Sequence, residues 1–373
     1  MFDSNKSFLK RIEISGFKSI GTNENAQKID LDNINIIIGA NGAGKSNFVS
    51  FFKMLNYMMT NNLQTFVSKN GIADDILHFG SKKTPVISAN LFFENENFTN
   101  GYDFTLVKSL DTLIFAEEKL VCNDEEHWLS GGQRESYFVS DFLEHNNERT
   151  LKSILTRCKA YQFHDTSESS HIRSASRIEQ GKALLSDGGN VASFLYMLKS
   201  SEKFNKYYGR IVKYIQYVIP QFSDFVLQSS IKNSEYVNLE WRQNGESEYT
   251  LGVNHLSDGS IRFIALATLL LQPPELLPNV ILIDEPELGL HPQAIDILAA
   301  MINIAAENSQ IIIATQSARL LDSFGLNQII VVENDKMSNS SHFKHLNEDE
   351  FADWLEEYSN SQLWEKNILG GQP

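Results

Sequence analysis

Residues 35–48 form the stretch NIIIGANGAGKSNF, which decides the fold of this 373-residue chain. The apolar run Asn35–Ile38 has the composition of a buried central strand. It leads into GANGAGKS at 39–46, which matches the pattern G-x-x-x-x-G-K-[ST] at every position. From Lys45 onward, apolar residues recur at three- and four-residue spacing, which predicts a helix. A strand, a glycine-rich loop and a helix in this order predict a phosphate-binding loop.

The chemistry of this loop follows from its residue types. Its glycines let backbone amides converge on phosphate oxygens, and the start of the following helix adds a partial positive charge. Lys45 is predicted to bridge the β- and γ-phosphates of a nucleotide, and the hydroxyl of Ser46 is predicted to ligate Mg²⁺. The alternative is a glycine-rich turn that binds nothing, but the complete match between a strand and a helix disfavours it.

Two carboxylates follow a second apolar strand, in VILIDEPELGLHP at 280–292. Asp284 is placed to hold Mg²⁺ through water, and Glu285 to polarise the attacking water as a general base. A surface turn that begins a helix would look similar. Upstream, LSDGS at 256–260 places a serine and a glycine at the start of a predicted helix, a second anion-binding end. On its own, Ser-Asp-Gly is also common turn and helix-cap chemistry.

Strands alternate with helices at both ends of the chain, and the apolar strands predict a mostly parallel sheet covered by helices, an α/β P-loop NTPase fold. The central part, 94–250, interrupts this pattern and is predicted to be an inserted α+β lid or arm, splitting the nucleotide-binding domain into 1–93 and 251–373. Strands are predicted at 8–15, 28–31, 35–38, 86–93, 102–107, 112–120, 222–227, 237–241, 280–283, 311–314 and, as the final strand, 328–333. Helices are predicted from Lys45 and at 190–198, 202–219, 260–271 and 292–307.

Composition limits the function. Apolar runs are too short for a membrane span, and the N-terminus has no apolar signal region, so we expect a cytoplasmic protein without membrane contact. The two cysteines form no metal-spaced cluster or disulfide framework. A net charge of −15 argues against coating nucleic acid with the whole surface, although a local basic groove is compatible with it.

Five segments together resemble the bacterial RecF/SMC-like ABC-type ATPases, usually called AAA family ATPases: FLKRIEISGFKSI at 8–20, GANGAGKS, LSDGSIRF at 256–263, IDEPELGLHP at 283–292 and ATQSARLLD at 314–322. The tail WLEEYSNSQLWEKNILGGQP resembles one branch of that family, whereas the middle of the chain is matched only loosely. The resemblance implies an ABC-type ATPase head that uses ATP and Mg²⁺.

The resemblance also implies residue roles. Ser46 and Asp284 would hold Mg²⁺, Glu285 would be the catalytic base, and Ser257 and Gly259 would cap the nucleotide of the other subunit in a homodimer. His291 and Pro292 would fall in the following subunit-contact loop. The residues implied at the phosphates are Gly39, Ala40, Asn41, Gly42, Ala43, Gly44, Lys45, Ser46 and Asn47.

Two positions depart from the general ABC pattern. Gln316 stands where many members have a histidine that contacts the γ-phosphate. Glutamine can donate a hydrogen bond but carries no positive charge, so we expect slow or partner-stimulated hydrolysis. The early glutamine that senses the γ-phosphate and Mg²⁺ has two candidates, His78 and Gln162.

Basic and histidine-containing segments suggest further chemistry. Lys203, Lys206, Arg210 and Lys213 would share one helix face, where they could follow a phosphate backbone or form a solvated surface. Arg173 and Arg177 have the same two interpretations. His164, Asp165 and His171 could suggest a metal or nuclease centre, but no second acidic cluster accompanies them.

Three functions are compatible with these features. The resemblance favours an ATP-driven dimeric switch associated with DNA, in DNA repair or antiviral defence. A regulatory ATPase that controls a separately encoded effector, such as a nuclease or toxin, is the alternative. A transporter nucleotide-binding subunit is disfavoured by the long insertion and the departures at the two sensor positions.

Overall fold

The computed structural model describes residues 8–94, 99–122, 125–139, 146–228, 234–245 and 249–372. Residues 1–7, on which part of the expectation about a signal region rests, lie outside these ranges. The predicted fold class is confirmed, since sheets are flanked by helices throughout the described chain. Within the same residues, no helix is both long and apolar enough to cross a membrane.

The strands, in chain order, are β1 (Phe8–Ser15), β2 (Gln27–Asp30), β3 (Ile34–Gly39), β4 (Val86–Glu94), β5 (Thr99–Ser109), β6 (Thr112–Cys122), β7 (Glu125–Ser130), β8 (Cys158–Tyr161), β9 (Ser176–Arg177), β10 (Phe222–Val226), β11 (Tyr236–Val237), β12 (Glu240–Gln243), β13 (Thr250–Gly252), β14 (Val280–Asp284), β15 (Gln310–Thr315), β16 (Ile329–Asp335) and β17 (Ser340–His345).

The α-helices are α1 (Lys45–Met58), α2 (Leu63–Lys69), α3 (Ala73–Ile76), α4 (Asn146–Thr156), α5 (Val191–Ser200), α6 (Asn205–Val218), α7 (Asp258–Leu270), α8 (Pro292–Ala306), α9 (Ala318–Leu321), α10 (Ala352–Leu355) and α11 (Asn360–Glu365).

The sheet that contains the glycine-rich loop has the order β17-β16-β3-β15-β14-β8. β3 pairs in parallel with both β15 and β16, and all six of its residues are buried, as its apolar composition predicts. The strand predicted at 328–333 is not the final one, because β17 follows it and pairs antiparallel with β16. The sequence of β17, SSHFKH, lacks the apolar alternation by which a strand is recognised.

A second six-stranded sheet has the order β2-β1-β4-β5-β6-β7, and its described pairings are antiparallel. β5 pairs with β4 along the whole length of β4, from Val86 to Glu94. Helix α1 packs into the same hydrophobic core as these strands. The residues predicted to form that face of α1 are all buried, namely Phe48, Phe51, Phe52, Leu55, Met58 and Met59.

The chain forms two compact units. The first comprises Met1–Ala160, Pro278–Leu282 and Gln310–Pro373, and the second comprises Tyr161–Leu277 and Ile283–Ser309. This division differs from the one predicted at 94–250, because the β4–β5 pairing joins the residues after 98 to the first unit. A lid or arm function for residues 94–250 stays a prediction.

The second unit contains α5 to α8 and two small sheets, β10-β12-β13 and β11-β9. The single strand predicted at 237–241 is instead two strands, β11 and β12, which belong to different sheets. The core of this unit is rich in aromatic residues. Phe222 packs edge-on against Phe225 and stacks on Trp241, with ring centroids 4.7 and 5.9 Å apart.

Candidate nucleotide-binding site

The glycine-rich loop connects the end of β3 to the start of α1 in the first unit. Gly44 precedes the helix with φ of 122°, a value that L side chains rarely adopt. A side chain at this position would also collide with Ser341 and would lie 3.0 Å from Ser19 Oγ. Glycine is therefore needed both for the turn and for the close packing of the loop on its neighbours.

Lys45 is buried at the start of α1, with 6% of its surface exposed. Its Nζ donates to the backbone oxygens of Gly39 at 2.5 Å and Ala40 at 3.0 Å. The ammonium group is thus held over the loop, where a phosphate oxygen would be a stronger acceptor than either carbonyl. The next residue, Ser46, is exposed in the first turn of the helix.

Polar side chains outside the loop form hydrogen bonds around its C-terminal end. Asn47 Nδ2 donates to Ser19 Oγ at 2.7 Å, and Ser341 Oγ donates to Ala43 O at 2.6 Å. Next to Ser19, Lys18 donates to Ser50 Oγ at 2.7 Å, and burial lowers the pKa of the Lys18 ammonium. In the sequence, Lys18 and Ser19 are marked only as part of a family resemblance. Their contacts with α1 show a structural connection that spacing along the chain does not reveal.

In the second unit, Asp284 ends β14 with 5% of its surface exposed. Nε2 of Gln162 donates to Asp284 Oδ2 at 3.0 Å and lies 3.1 Å from His164 Nδ1. Nε2 of His164 lies 3.0 Å from the backbone oxygen of Asp284. A carbonyl oxygen can only accept, so His164 Nε2 carries the proton and Nδ1 accepts from Gln162. The three residues form a closed hydrogen-bonded ring that orients the Asp284 carboxylate.

The two candidates for the early sensor have different surroundings. Gln162 directly contacts the carboxylate that ends β14. The imidazole of His78 is buried in the first unit, where Nδ1 lies 2.7 Å from Lys18 O and Nε2 lies 3.4 Å from Ser340 Oγ. Gln162 is therefore the candidate that contacts the predicted Mg²⁺ ligand, and the sensor role itself stays a prediction. A glutamine just after a strand, such as β8, was the sequence signal available for it.

Glu285 has φ of 43°, in the left-handed region that few residues other than glycine adopt. Its backbone oxygen accepts from Leu288 N at 3.2 Å, which closes a turn directly after the strand. Strain of this kind persists only where surrounding contacts maintain it, and it is concentrated at functional sites. Helix α8 then begins at Pro292, with His291 as the N-cap that accepts from Gln293 N at 3.3 Å.

The LSDGS loop also lies in the second unit. Ser257 caps α7, because its Oγ accepts from Ser260 N at 3.1 Å. A side chain at Gly259 would collide with the backbone oxygen of Gly289, so this loop packs closely against the turn that follows Glu285. The first turn of α7 also carries Asp258, whose pKa is lowered mainly by a hydrogen bond from Arg173.

Arg262 of α7 connects these segments. It is 5% exposed, and burial lowers the pKa of its guanidinium. Its Nε donates to Phe163 O at 2.9 Å, Nη2 donates to His164 O at 3.2 Å, and Nη1 donates to Leu288 O. One buried cation thus joins the LSDGS helix, the segment that contains Gln162 and the turn after Glu285.

Several residues with suggested binding roles have partners within the second unit. Arg173 donates to Thr166 O at 2.7 Å and to Asp258 at 2.8 Å. His171 lies 2.9 Å from Asp187, and Asp165 accepts from Ser167 at 2.6 Å, so neither joins His164 in a metal site. Among the described residues, no cluster of three or more histidine, cysteine or acidic side chains could hold a metal ion.

Side chains of the predicted basic face make contacts inside the same unit. Lys203 precedes α6 and pairs with Glu275 at 2.5 Å, whereas Arg210 donates to Leu271 O at 2.9 Å. Lys206 lies over the ring of Tyr207. Arg177 likewise bonds to Tyr236 and Glu179. The helix is confirmed as Asn205–Val218, and three of the four cations predicted for this face already make contacts inside the unit.

Gln316 lies in the first unit, exposed directly after β15. The neighbouring Ser317 caps the short helix α9, and its backbone nitrogen donates to Thr315 Oγ1 at 2.9 Å. The end of a parallel strand is where ligand-contacting residues lie in open α/β sheets. A role at the γ-phosphate stays a prediction for this residue.

Comparison with known proteins identifies the family of this chain. A family model described as "AAA domain, putative AbiEii toxin, Type IV TA system" matches residues 34–322. The chain belongs to this family. The matched range extends from the strand before the phosphate loop, β3, to the end of helix α9. No curated protein matches the AAA-family chain.

Solved structures similar to this AAA-family chain include heads of SMC proteins. An SMC head bound to the C-winged helix domain of ScpA has a TM-score of 0.61 at 15% identity, covering 93% of this chain and 99% of the other. An SMC head with an extended coiled coil, bound to the C-terminal domain of ScpA derived from Pyrococcus furiosus, has a TM-score of 0.58 at 16% identity, covering 94% and 99%. At these identities the similarity establishes a shared fold, that of SMC heads.

Proposed function

We propose that this chain binds and hydrolyses ATP, and that the reaction switches a homodimer between closed and open forms. The observation that carries the proposal is the complete phosphate loop between β3 and α1, with the buried Lys45 ammonium held on loop carbonyls. Phosphate oxygens would replace these carbonyls as acceptors, and Gly39–Asn47 would enclose the triphosphate.

The residues available for Mg²⁺ fit this ion. The hydroxyl of Ser46 is exposed at the first turn of α1, and the Asp284 carboxylate is buried and oriented by Gln162. Hydroxyl and carboxylate oxygens are the hard ligands that Mg²⁺ prefers. We propose that Ser46 and Asp284 hold the ion, which when bound neutralises charge on the phosphate oxygens.

In this mechanism Glu285 accepts a proton from the attacking water. The His164 hydrogen bond to Asp284 O holds the peptide that precedes Glu285, and the Leu288 hydrogen bond to Glu285 O holds the peptide that follows it. Together they restrict where the Glu285 carboxylate can point. Ser257 and Gly259 would contact the nucleotide of the second subunit. Arg262 would keep their loop in register with the turn after Glu285.

For the biological role we propose a DNA-associated switch in genome maintenance or antiviral defence, which the SMC-type head fold supports. The second candidate is an ATPase that controls a separately encoded effector. It is favoured by the toxin–antitoxin description of the family. It is also favoured by the basic face, because Lys203 pairs with Glu275 and Arg210 donates to Leu271 O. The two candidates differ in what should stimulate the ATPase.

A hydrolysis assay separates them. We expect steady-state ATP hydrolysis by the purified chain to rise when linear duplex DNA is added at low salt, and to return toward the basal rate as salt is raised, because phosphate contacts weaken with ionic strength. The Glu285→Gln variant provides the blank. Measurable turnover that is indifferent to DNA would contradict the DNA proposal and would favour a partner protein.

The sensor assignment has its own test. We expect Gln162→Ala to raise the Mg²⁺ concentration needed for half-maximal hydrolysis and to lower turnover by roughly 10-fold, since the Asp284 carboxylate loses its orienting donor. His78→Asn should leave the Mg²⁺ dependence unchanged. Turnover is to be measured across a Mg²⁺ titration in both variants. A shift in the His78 variant alone would reverse the assignment.

A further inference from the structure

The segment Gly370–Gln372, called here the Gly-Gly strap, contacts the first turn of the phosphate loop. The backbone oxygen of Gly371 accepts a hydrogen bond from Ala40 N at 2.9 Å, although the two residues lie near opposite ends of the sequence. The backbone nitrogen of Gly371 donates to Glu333 Oε1 on β16 at 2.7 Å. The strap thus bridges a strand of the central sheet and the loop that follows β3.

The two glycines of the strap are required by its conformation and packing. Gly370 and Gly371 have φ of 82° and 79°, in the left-handed region. A Cβ on Gly371 would lie 2.5 Å from Val331 Cγ1 and 3.1 Å from the ring of Trp364. A side chain here would therefore push the strap away from β16 and from the loop.

The hydrogen bond from Ala40 acts on the peptide unit that also receives Lys45. The N–H of this unit donates to Gly371, and its oxygen, on Gly39, accepts from Lys45 Nζ at 2.5 Å. Because the peptide is planar, fixing the direction of the N–H fixes the direction of the carbonyl. Hydrogen bonds at both ends of one peptide also polarise each other. The hydrogen bond to Gly371 O therefore orients the Gly39 carbonyl, which accepts from the Lys45 ammonium.

The loop is held at a second point by β17, where Ser341 Oγ donates to Ala43 O at 2.6 Å. A cavity of about 590 Å³ is lined by Ala40–Ala43 of the loop and by residues that include Glu333, Gly371 and Gln372. Gln372 is itself anchored, since its N donates to Asn367 Oδ1 at 3.2 Å. The strap forms a fixed wall beside the phosphate loop.

We propose that the Gly-Gly strap is a positioning element of the nucleotide site, which holds residues 39–45 in the conformation that accepts a triphosphate. This inference rests on the proposed ATP binding. It assigns the strap no contact with the reacting atoms. Its effect is on affinity, because a loop that is already ordered loses less conformational entropy when the nucleotide binds.

The first test needs no nucleotide. Hydrogen exchange of the Ala40 amide is to be measured in wild type, Glu333→Ala and Glu333→Gln. Alanine removes the acceptor of Gly371 N, so exchange at Ala40 should rise, on the order of 5-fold for the loss of one supporting hydrogen bond. Glutamine keeps an acceptor oxygen and should restore protection, although it removes the same charge. Equal protection of the Ala40 amide in all three proteins would overturn the proposal that the strap orders the loop.

The second test measures the affinity for a fluorescent N-methylanthraniloyl ATP. Glu333→Ala and Gly371→Ala should raise Kd on the order of 5-fold, with Glu333→Gln close to wild type. Gly132→Ala is the matched control, because Gly132 also has a positive φ, of 88°, but lies in open surroundings. Gly371→Ala adds the collision with Val331 and Trp364, so its melting temperature without nucleotide should fall further than that of this control. The Glu333 pair adds no such collision and decides whether the affinity depends on the strap.

The outcomes of the two tests separate the strap from the proposed function. Unchanged Kd in both strap variants, with wild type binding the analogue, would overturn the positioning role. If wild type binds no better than Lys45→Ala, the proposed ATP binding itself fails. In that case the exchange measurement still decides whether the strap orders the loop.

Discussion

Glu285→Gln should reduce steady-state ATP hydrolysis by about 10²- to 10⁴-fold, the range that a general base contributes. Glutamine has nearly the same shape but cannot accept the proton of the attacking water. ATP binding should persist, because the phosphate loop and the hydrogen bonds of Lys45 to Gly39 O and Ala40 O are left in place. With hydrolysis blocked, the ATP-bound dimer should accumulate, and size-exclusion chromatography with ATP should show it.

The matched control for this variant is Glu307→Gln. Glu307 is an exposed glutamate in the same unit, at the C-terminal end of α8, so the substitution makes the same chemical change away from the carboxylate strand. Its turnover should equal that of wild type. Undiminished hydrolysis in Glu285→Gln would remove the assignment of Glu285 as the general base.

Lys45→Ala should abolish most of the nucleotide affinity. A hydrogen bond to a charged group contributes about 1.5–3 kcal/mol, which corresponds to roughly 10- to 150-fold in Kd. The variant also loses the hydrogen bonds that the ammonium donates to Gly39 O and Ala40 O, so the stability of the fold is measured beside the affinity. Kd for the fluorescent ATP analogue and the melting temperature without nucleotide are the two measurements.

Lys28→Ala serves as the control for Lys45→Ala. Lys28 lies on β2 in the same unit and makes an exposed ion pair with Glu13 at 3.5 Å, an interaction that contributes little to stability. Its variant should bind the analogue as wild type does. Wild-type affinity in Lys45→Ala would contradict the phosphate-loop interpretation and, with it, the proposed ATPase function.

The sequence alone predicted the segments whose structure depends on residues close to one another in the chain. The β3–loop–α1 unit, helix α7 and the strand that ends at Asp284 all lie where their local patterns place them. Turn glycines, apolar runs and helical spacing act within a few residues, so one stretch of sequence contains all the information needed. For the same reason the fold class could be predicted from the order of these segments.

Edge strands were harder to predict. β7 (EEHWLS) and β17 (SSHFKH) lie at the ends of the two large sheets and carry charged or polar residues, as exposed edges do. Their polar composition matches that of loops. Only pairing with a neighbouring strand identifies them, and this depends on residues distant in sequence.

The residues of the candidate site also fall into those that the sequence identifies and those that only tertiary contacts identify. Lys45, Asp284 and Glu285 could be named from the sequence because each belongs to a contiguous motif. The choice of Gln162 over His78 required the contact with Asp284, and the role of Gly371 required its hydrogen bond to Ala40. Those contacts join residues far apart in the chain, and side-chain packing and long-range hydrogen bonds create them only once the chain has folded. Sequence therefore determined which chemistry this protein carries, and the tertiary structure decided which residues position it.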